Sequence, residues 1–350
     1  MSSGLVPAAD IVEGNFAVME TGRRNRNFKV LRESAPGLFV KQAKSLEAQA
    51  TATLWREAAF ASRVQTDPAY GGLAQLMPQL IRYDPSRHAI VSNLIDGAES
   101  AGEYQGRKRE FPGEIATALG RALAHIQRFG PALAGDPHLR TALPRQVPWV
   151  MTLDRSGIAF LGSTAPLGPQ LVAELQQMPD FLALLAALRR EWHQDTLMHG
   201  DMKWDNCLVR GGAGTLEMMI IDWELVDIGD AAWDVASIFK EYVVTALFAL
   251  IAASQNPAAP PDPDWLASVR PAARQFWKSY AAALSLSPEQ SRPLLDRAIR
   301  FTAPRLVISV LEYLSILPND TTTMKAMLQV AVQLLTAQQL MTANLLGYPV

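Results

Sequence analysis

The chain has 350 residues, of which 49% are hydrophobic, which is enough for a large core and favours two lobes over one. Its formal net charge of −2 argues against a nucleic-acid partner, because proteins that track phosphates carry a clear basic excess. A single cysteine, Cys207, excludes an intramolecular disulfide and gives little support for a zinc site.

The first 42 residues predict three strands. Residues 1–10 show no basic region followed by an apolar run, so no secretory signal is expected. Apolar or alternating runs then occupy residues 16–20, 28–33 and 37–42. They are separated by polar, glycine-containing or proline-containing turns, which is the pattern of consecutive strands.

A helix and a strand pair follow. Residues 45–65 have helix-forming composition with apolar side chains at helical spacing, and residues 80–97 predict a strand, an Asp-Pro turn and a second strand. After Gly97 the sequence becomes largely helical. We therefore expect a strand-rich lobe over residues 1–96 and a helical lobe over residues 97–350.

The second part is mostly helical. Residues 113–130 predict an amphipathic helix, and residues 170–193 predict a helical segment that breaks at Pro179. Helices also dominate from Ala232 onward. The longest largely apolar stretch, residues 243–253, is too short to span a bilayer, so we expect a cytoplasmic protein with no membrane partner.

A dense polar turn lies between these helical segments. The sequence LMHGDMKWDNCLV, residues 197–209, holds a histidine, a lysine, an asparagine and two aspartates before a predicted strand that starts at Cys207. A second strand, within residues 216–223, follows a glycine-rich turn. This hairpin places Asn206 and Asp222 at the same end of adjacent strands.

The side chains of this hairpin match what phosphoryl transfer from ATP requires. The reaction needs a carboxylate beside the attacking hydroxyl, oxygen ligands for Mg²⁺ and a cation near the phosphates. Asp201 can orient the hydroxyl and accept its proton, and Lys203 can approach the transferring phosphoryl group. Asn206 and Asp222 can share one Mg²⁺, because cross-strand neighbours lie close together.

Three motifs occur in order: HGDMKWDN (199–206), IIDWE (220–224) and GDAAWDVA (229–236). They resemble the HxDxxxxN catalytic loop, the magnesium-binding strand end and the GDPxxDLA stretch of the aminoglycoside phosphotransferase and choline kinase families, within the protein-kinase-like superfamily. The resemblance spans residues of roughly 15–240. It implies a two-lobed α+β fold with an N-terminal antiparallel sheet plus a helix and a larger, mostly helical C-terminal lobe.

The resemblance also implies a nucleotide site in the first lobe. Lys41, on the third predicted strand, would pair with the ATP phosphates, and a helix glutamate would hold it. Glu57 lies centrally in the helix and is the expected partner, with Glu47, near the helix start, as a competitor.

Two further segments complete the expected nucleotide site. The turn GRRNRNFKV, residues 22–30, departs from a glycine-rich phosphate loop, since Gly22 is its only glycine. Phosphate contact there would come from backbone groups or from side chains that could equally form a solvated turn, namely Arg24, Asn25 and Arg26. Backbone groups near Asn93 to Ile95, on the expected hinge strand, would bind the adenine edge.

Other residues of the motifs have structural interpretations. His199 is expected to form structural hydrogen bonds, as the resemblance implies, and Glu224 to serve local structure. Asp230 and Asp234 are expected to cap a helix or fix a loop. Cys207 is expected to be a small buried apolar residue.

The acceptor is the open part of the prediction. Aminoglycosides are polycations that need an acidic lining. The last third of the chain instead mixes acidic side chains with cations, and this argues against an aminoglycoside-type antibiotic. These cations include Arg274, Arg292, Arg297, Arg300, Arg305 and Lys325. A small hydroxyl-bearing molecule or Ser/Thr of a natural-product precursor peptide is expected, and for the peptide the resemblance implies a partner lyase.

A nucleotide-binding pseudokinase that acts as a scaffold or regulator is the alternative to an enzyme. Pseudoenzymes commonly lack at least one residue of the catalytic set. This sequence keeps all four: Lys41, Asp201, Asn206 and Asp222. An active kinase is therefore the favoured interpretation.

Overall fold

A five-stranded antiparallel sheet with strand order β1-β2-β3-β5-β4 forms the first part of the chain. Its strands are Phe16–Glu20 (β1), Arg26–Arg32 (β2), Leu38–Gln42 (β3), Leu80–Asp84 (β4) and Ala89–Asn93 (β5). A short helix precedes the sheet, α1 (Ala8–Glu13). The computed structural model describes residues 5–21, 25–33, 35–153, 168–211, 216–256 and 262–347.

The turn between β4 and β5 shows why the sequence forms a hairpin there. Asp84 accepts hydrogen bonds through Oδ1 from the backbone N–H groups of Ser86, at 3.0 Å, and Arg87, at 3.2 Å. An aspartate that bonds the backbone two and three residues ahead closes a turn. The predicted strand, Asp-Pro turn and strand are therefore present.

Helix α2 (Ala48–Thr66) belongs to both parts of the molecule. Near its middle, Leu54 packs against Ile90 of the sheet, whereas Phe60, further along, belongs to the large core of the helical part. Both side chains are fully buried, and each contributes about 1.5–3 kcal/mol of hydrophobic stabilisation. Glu57 lies on the helix between these two contacts.

The buried carboxylate of Asp136 connects the end of α2 to the helical part of the chain by hydrogen bonds. Asp136 accepts hydrogen bonds from Arg63 Nε at 2.7 Å, from the Tyr70 hydroxyl at 3.2 Å and from the His138 backbone N–H at 2.8 Å. Burial raises the pKa of Asp136, but these hydrogen bonds outweigh it and the pKa lies below the ordinary aspartate value.

The helical part is larger and confirms the predicted fold class. Its strands are Glu99–Ser100 (β6), Thr196–Met198 (β7), Cys207–Arg210 (β8), Glu217–Ile220 (β9) and Asp227–Gly229 (β10). The helices that follow α2 are α3 (Gly71–Ala74), α4 (Ala101–Lys108), α5 (Gly113–Arg128), α6 (Gly130–Ala134), α7 (Gly168–Gln176), α8 (Pro179–Leu188), α9 (Ala231–Gln255), α10 (Pro263–Ala283), α11 (Pro288–Ile316), α12 (Thr321–Thr336) and α13 (Gln338–Leu346).

The predicted break at Pro179 separates α7 from α8. Proline stands at the first position of α8, where its missing N–H leaves no helical hydrogen bond unmade. The chain bends sharply here, by 91° between residues 170–176 and residues 179–191.

Helix α9 is longer than the apolar stretch at residues 243–253 indicated. It has 25 residues and, within the described part of the chain, is long and apolar enough to cross a bilayer by length and composition. The bent pair α7–α8 passes the same test only if counted as one span. Of the most apolar window of α9, 44% is buried inside the protein.

The Asp136 contact gives a stability prediction. Asp136→Asn should lower the free energy of unfolding at pH 7 by about 2 kcal/mol, because hydrogen bonds to charged groups contribute roughly 1.5–3 kcal/mol. Since the folded-state pKa lies below the unfolded value, this stabilisation is present above the ordinary carboxyl pKa and is lost as the pH falls. In urea unfolding, the difference from wild type should therefore shrink below about pH 4.

The exposed Asp96 provides the matched control for this substitution. Asp96→Asn should leave the urea midpoint unchanged at both pH values. An equal loss in the two variants, or a loss in Asp136→Asn that is independent of pH, would contradict the proposed role of the Asp136 charge.

Candidate active site

The turn between β7 and β8 is held in place by a carboxylate from α9. Asp234 is fully buried and accepts hydrogen bonds from the backbone N–H groups of His199, at 2.6 Å, and Gly200, at 3.0 Å. Burial raises the pKa of Asp234 above its ordinary value despite these donors. The His199 ring donates from Nε2 to the Ile221 carbonyl at 2.9 Å. Both residues thus have the structural roles that their sequence context indicated.

Gly200 has a conformation and an environment that only glycine tolerates. Its φ is +83°, and a Cβ atom would lie 2.5 Å from the Leu225 carbonyl oxygen. The Gly200 carbonyl accepts hydrogen bonds from Trp233 Nε1 at 3.3 Å and from Arg305 Nη1 at 3.2 Å. The backbone before Asp201 is therefore fixed from two helices.

The carboxylate of Asp201 contacts two cations and an amide. Lys203 Nζ lies 2.7 Å from Oδ2, and Arg305 Nη2 lies 3.4 Å from Oδ1. Asn206 Nδ2 donates to Oδ2 at 3.2 Å and to the Asp201 backbone carbonyl at 2.9 Å. Burial raises the pKa of Asp201, but Lys203 and Arg305 outweigh it and hold the pKa well below the usual range. Asp201 is therefore ionised at neutral pH.

The hairpin brings Asn206 and Asp222 to one end of β8 and β9. In the register Cys207 lies opposite Ile220, and the Ile221 backbone N–H donates to the Asn206 carbonyl at 2.9 Å. Asp222 follows directly, in the left-handed region with φ 67°. Such a conformation is uncommon outside glycine and turns the chain away from the strand at this residue.

Lys41 is buried among three carboxylates. Its Nζ lies 2.8 Å from Glu57 Oε2 and 3.2 Å from Glu224 Oε2, and it also contacts Asp222 Oδ1. Burial lowers the pKa of Lys41, but the carboxylates outweigh it and raise the pKa above its ordinary value. Glu57 is the partner on α2, whereas Glu47 is the residue that precedes the helix.

Glu224 contacts distant parts of the chain, whereas its sequence context indicated only a role in local structure. Besides Lys41, it accepts a hydrogen bond from Asn25 Nδ2 at 3.2 Å, and it is only 6% exposed. No sequence signal indicated this contact, because Asn25 lies 199 residues from Glu224 along the chain.

The remaining expected nucleotide contacts are only partly at this cluster. Asn25 joins it through Glu224, whereas Arg26 is exposed at the start of β2. Residues 22–24, including Arg24, lie outside the described residues. At the expected hinge, the Asn93 backbone N–H donates to Gln79, and the Ile95 carbonyl accepts from Ala98.

Four of the six cations named from the last third of the chain pair with carboxylates of the protein, and for Lys325 the partner is Glu174, at 3.0 Å. Arg297 Nε lies 2.9 Å from Asp230 Oδ2, Arg300 binds both carboxylate oxygens of Glu191 at 2.5 Å, and Arg305 contacts Asp201. These side chains are therefore already paired with carboxylates and do not count as free positive charges. The argument from charge against a cationic acceptor is weakened accordingly.

Residues 16–267 match the model of the phosphotransferase enzyme family. The chain belongs to this family. As a family member it is a kinase that transfers a phosphoryl group to a hydroxyl acceptor. A search among curated proteins finds no significant match.

Several solved structures share the fold of this chain. An ethanolamine kinase from Plasmodium vivax is 13% identical over 97% of this chain and 84% of its own, with a TM-score of 0.59. A choline kinase from Cryptosporidium parvum is 14% identical over 97% and 94%, with a TM-score of 0.57. The GDP complex of an aminoglycoside 2′-phosphotransferase IIIa variant is 16% identical over 93% and 92%, with a TM-score of 0.55. At these identities the likeness shows the kinase-like fold.

The Lys41 cluster gives a second stability prediction. Lys41→Met should lower the free energy of unfolding by about 3 kcal/mol, because it leaves three carboxylates close together without their cation. Thermal unfolding at neutral pH measures the loss. Lys29→Met, an exposed lysine on the neighbouring strand, is the matched control and should leave the midpoint unchanged. A midpoint for Lys41→Met equal to that of the control would show that the cluster does not stabilise the fold.

Proposed function

We propose that this kinase transfers the γ-phosphoryl group of ATP to a hydroxyl acceptor in a Mg²⁺-dependent reaction. The observation that carries the proposal is a continuous chain of contacts through the site. Lys41 contacts Asp222. The residue before Asp222, Ile221, donates its backbone N–H to the Asn206 carbonyl. Asn206 in turn donates from Nδ2 to the Asp201 carboxylate. A phosphate-binding lysine is thus linked to an acceptor-orienting aspartate through two candidate metal ligands.

Asp201 is proposed to orient the acceptor hydroxyl and to accept its proton late in the reaction. Its lowered pKa makes it a weak base, so alignment of the hydroxyl is its main contribution. Lys203 shares the charge of Asp201 and is proposed to approach the transferring phosphoryl group. Its own pKa is lowered by burial but raised more strongly by Asp201, so it remains a cation.

The residues at the strand ends fit a magnesium ion. Asn206 supplies an amide oxygen and Asp222 a carboxylate, and Mg²⁺ prefers oxygen ligands of this kind. The Asp222 side chain is 30% exposed, so its carboxylate remains accessible although Lys41 touches it. A bound Mg²⁺ supplies charge neutralisation of the phosphates at this place. Lys41, held by Glu57, adds a fixed cation from the sheet.

The nucleotide is proposed to lie against the first lobe. Asn25, which bonds Glu224 of the Lys41 cluster, and Arg26, at the start of β2, are proposed to contact the phosphates. Backbone groups at the hinge, Asn93 to Ile95, are proposed to contact the adenine edge. We propose the lobe boundary at residues 96 and 97. Gly97, with φ +69°, lies between β5 of the sheet and β6, which pairs with β8 of the helical lobe.

A small hydroxyl-bearing molecule is the proposed acceptor. The similar structures are named for ethanolamine, choline and aminoglycoside acceptors, which supports this class. We propose a cytoplasmic enzyme without a membrane or nucleic-acid partner. A precursor peptide with a partner lyase, and an aminoglycoside-type antibiotic, are separate arms of the screen that tests the proposal.

The screen measures, by mass spectrometry, the gain of one phosphate on candidate amino alcohols, sugars, aminoglycosides and Ser/Thr peptides with ATP or GTP and Mg²⁺. Asp201→Asn should reduce kcat by roughly 100-fold or more while leaving the nucleotide Kd within about twofold. The control is Asp205→Asn, an exposed aspartate of the same turn, which should retain activity.

Two outcomes would contradict the proposal. Full activity in Asp201→Asn would remove the assigned role of this carboxylate. Nucleotide binding by wild type without phosphate transfer to any acceptor or to water would instead favour a pseudokinase.

A further inference from the structure

Arg305 is a buried arginine that reaches the active site from α11. It is 4% exposed, and its guanidinium lies over the Trp233 ring, 5.2 Å from the ring centroid. One terminal nitrogen donates to the Gly200 carbonyl and the other contacts Asp201 Oδ1. The residue lies beyond residues 16–267, the part of the chain that the family model matches.

The contacts of Arg305 are not those of a residue that only stabilises the fold. Among the described residues its Nε is buried without a hydrogen-bond partner, and leaving a buried donor unpaired costs about 1–3 kcal/mol. Buried ion pairs also contribute little net stability compared with apolar side chains of similar volume. What the arrangement does provide is a planar fork with one nitrogen on the backbone before Asp201 and the other on its carboxylate.

The other side of the Asp201 carboxylate is already held. Lys203 and Asn206 both contact Oδ2, so Arg305 is the contact at Oδ1 among the described residues. The χ2 torsion of aspartate has a broad energy profile, and a carboxylate held at one oxygen can rotate about it. Donors at both oxygens fix the plane of the carboxylate and therefore the direction from which a hydroxyl can donate to it.

We propose that Arg305 is a positioning residue for phosphoryl transfer, which fixes the plane of the Asp201 carboxylate so that the acceptor hydroxyl is aligned. This inference rests on the proposed function of Asp201. Arg305 acts through Asp201 and the Gly200 backbone, and the role belongs to the helical last third of the chain. This positioning role distinguishes Arg305 from Arg297 and Arg300. The carboxylate partners of those two arginines, Asp230 and Glu191, are not part of the catalytic set.

The test compares Arg305→Met and Arg305→Lys with Arg297→Met. Arg297 is two turns earlier on the same helix and also pairs with a buried aspartate, so its variant reports what the loss of an internal ion pair does to folding. The assay follows release of labelled phosphate from γ-labelled ATP with Mg²⁺ and water as acceptor. Rates are divided by the nucleotide-binding fraction of each preparation, which removes the effect of unfolded protein.

We expect kcat of Arg305→Met to fall by roughly 10–100-fold, because displacing a reacting group by about 1 Å can reduce the rate by up to about 100-fold. The KM for ATP should stay within about twofold. Arg305→Lys restores part of kcat, since an ammonium can contact one of the two acceptors. Arg297→Met keeps the wild-type kcat. Wild-type kcat in Arg305→Met, or an equal fall in Arg297→Met, would overturn the inference.

Asp201→Asn, assayed in parallel, distinguishes failure of the proposed role of Arg305 from failure of the proposed function. If it is inactive while Arg305→Met is fully active, the inference fails and the proposed function stands. If Asp201→Asn is itself fully active, the proposed function fails. Hydrogen exchange of residues 199–206 provides a measurement that does not depend on turnover. Faster exchange in Arg305→Met but not in Arg297→Met is expected, and unchanged exchange in Arg305→Met would overturn the inference.

Discussion

The ammonium group of Lys41 is the charge on which the arrangement of the two lobes depends. It comes from β3, and its three carboxylate partners come from α2 and from the chain that follows β9. Without a cation at their centre, Glu57, Asp222 and Glu224 would bring like charges together in a poorly solvated place. The ion cluster therefore stabilises the contact between the sheet, α2 and the end of β9, although 181 residues separate Lys41 from Asp222.

The features that depend on neighbours in sequence could be predicted. The strands, α2 and the hairpin followed from alternation, helical spacing and turn residues, and the placement of Asn206 and Asp222 at one end of β8 and β9 followed from the hairpin alone. The contact of Lys41 with Glu57 required the family resemblance, because a lysine on a strand and a glutamate on a helix are too common to pair by pattern.

Features that depend on distant partners were missed. Glu224 acquires its role only where Lys41 and Asn25 meet it in space. Arg300 and Arg305 contact carboxylates 109 and 104 residues away, so a count of charges along the last third could not show that these cations are paired. The same distance explains why α11 was recognisable only as a helix, although one of its side chains touches Asp201.

The position of α2 between two cores has a consequence for how such an enzyme can be controlled. Drawing Glu57 away from Lys41 by moving the helix would also pull Phe60 out of the helical core and break the contact of Arg63 with Asp136. Exposing the Phe60 side chain alone costs about 1.5–3 kcal/mol. An inactive form that needs a displaced helix is therefore disfavoured.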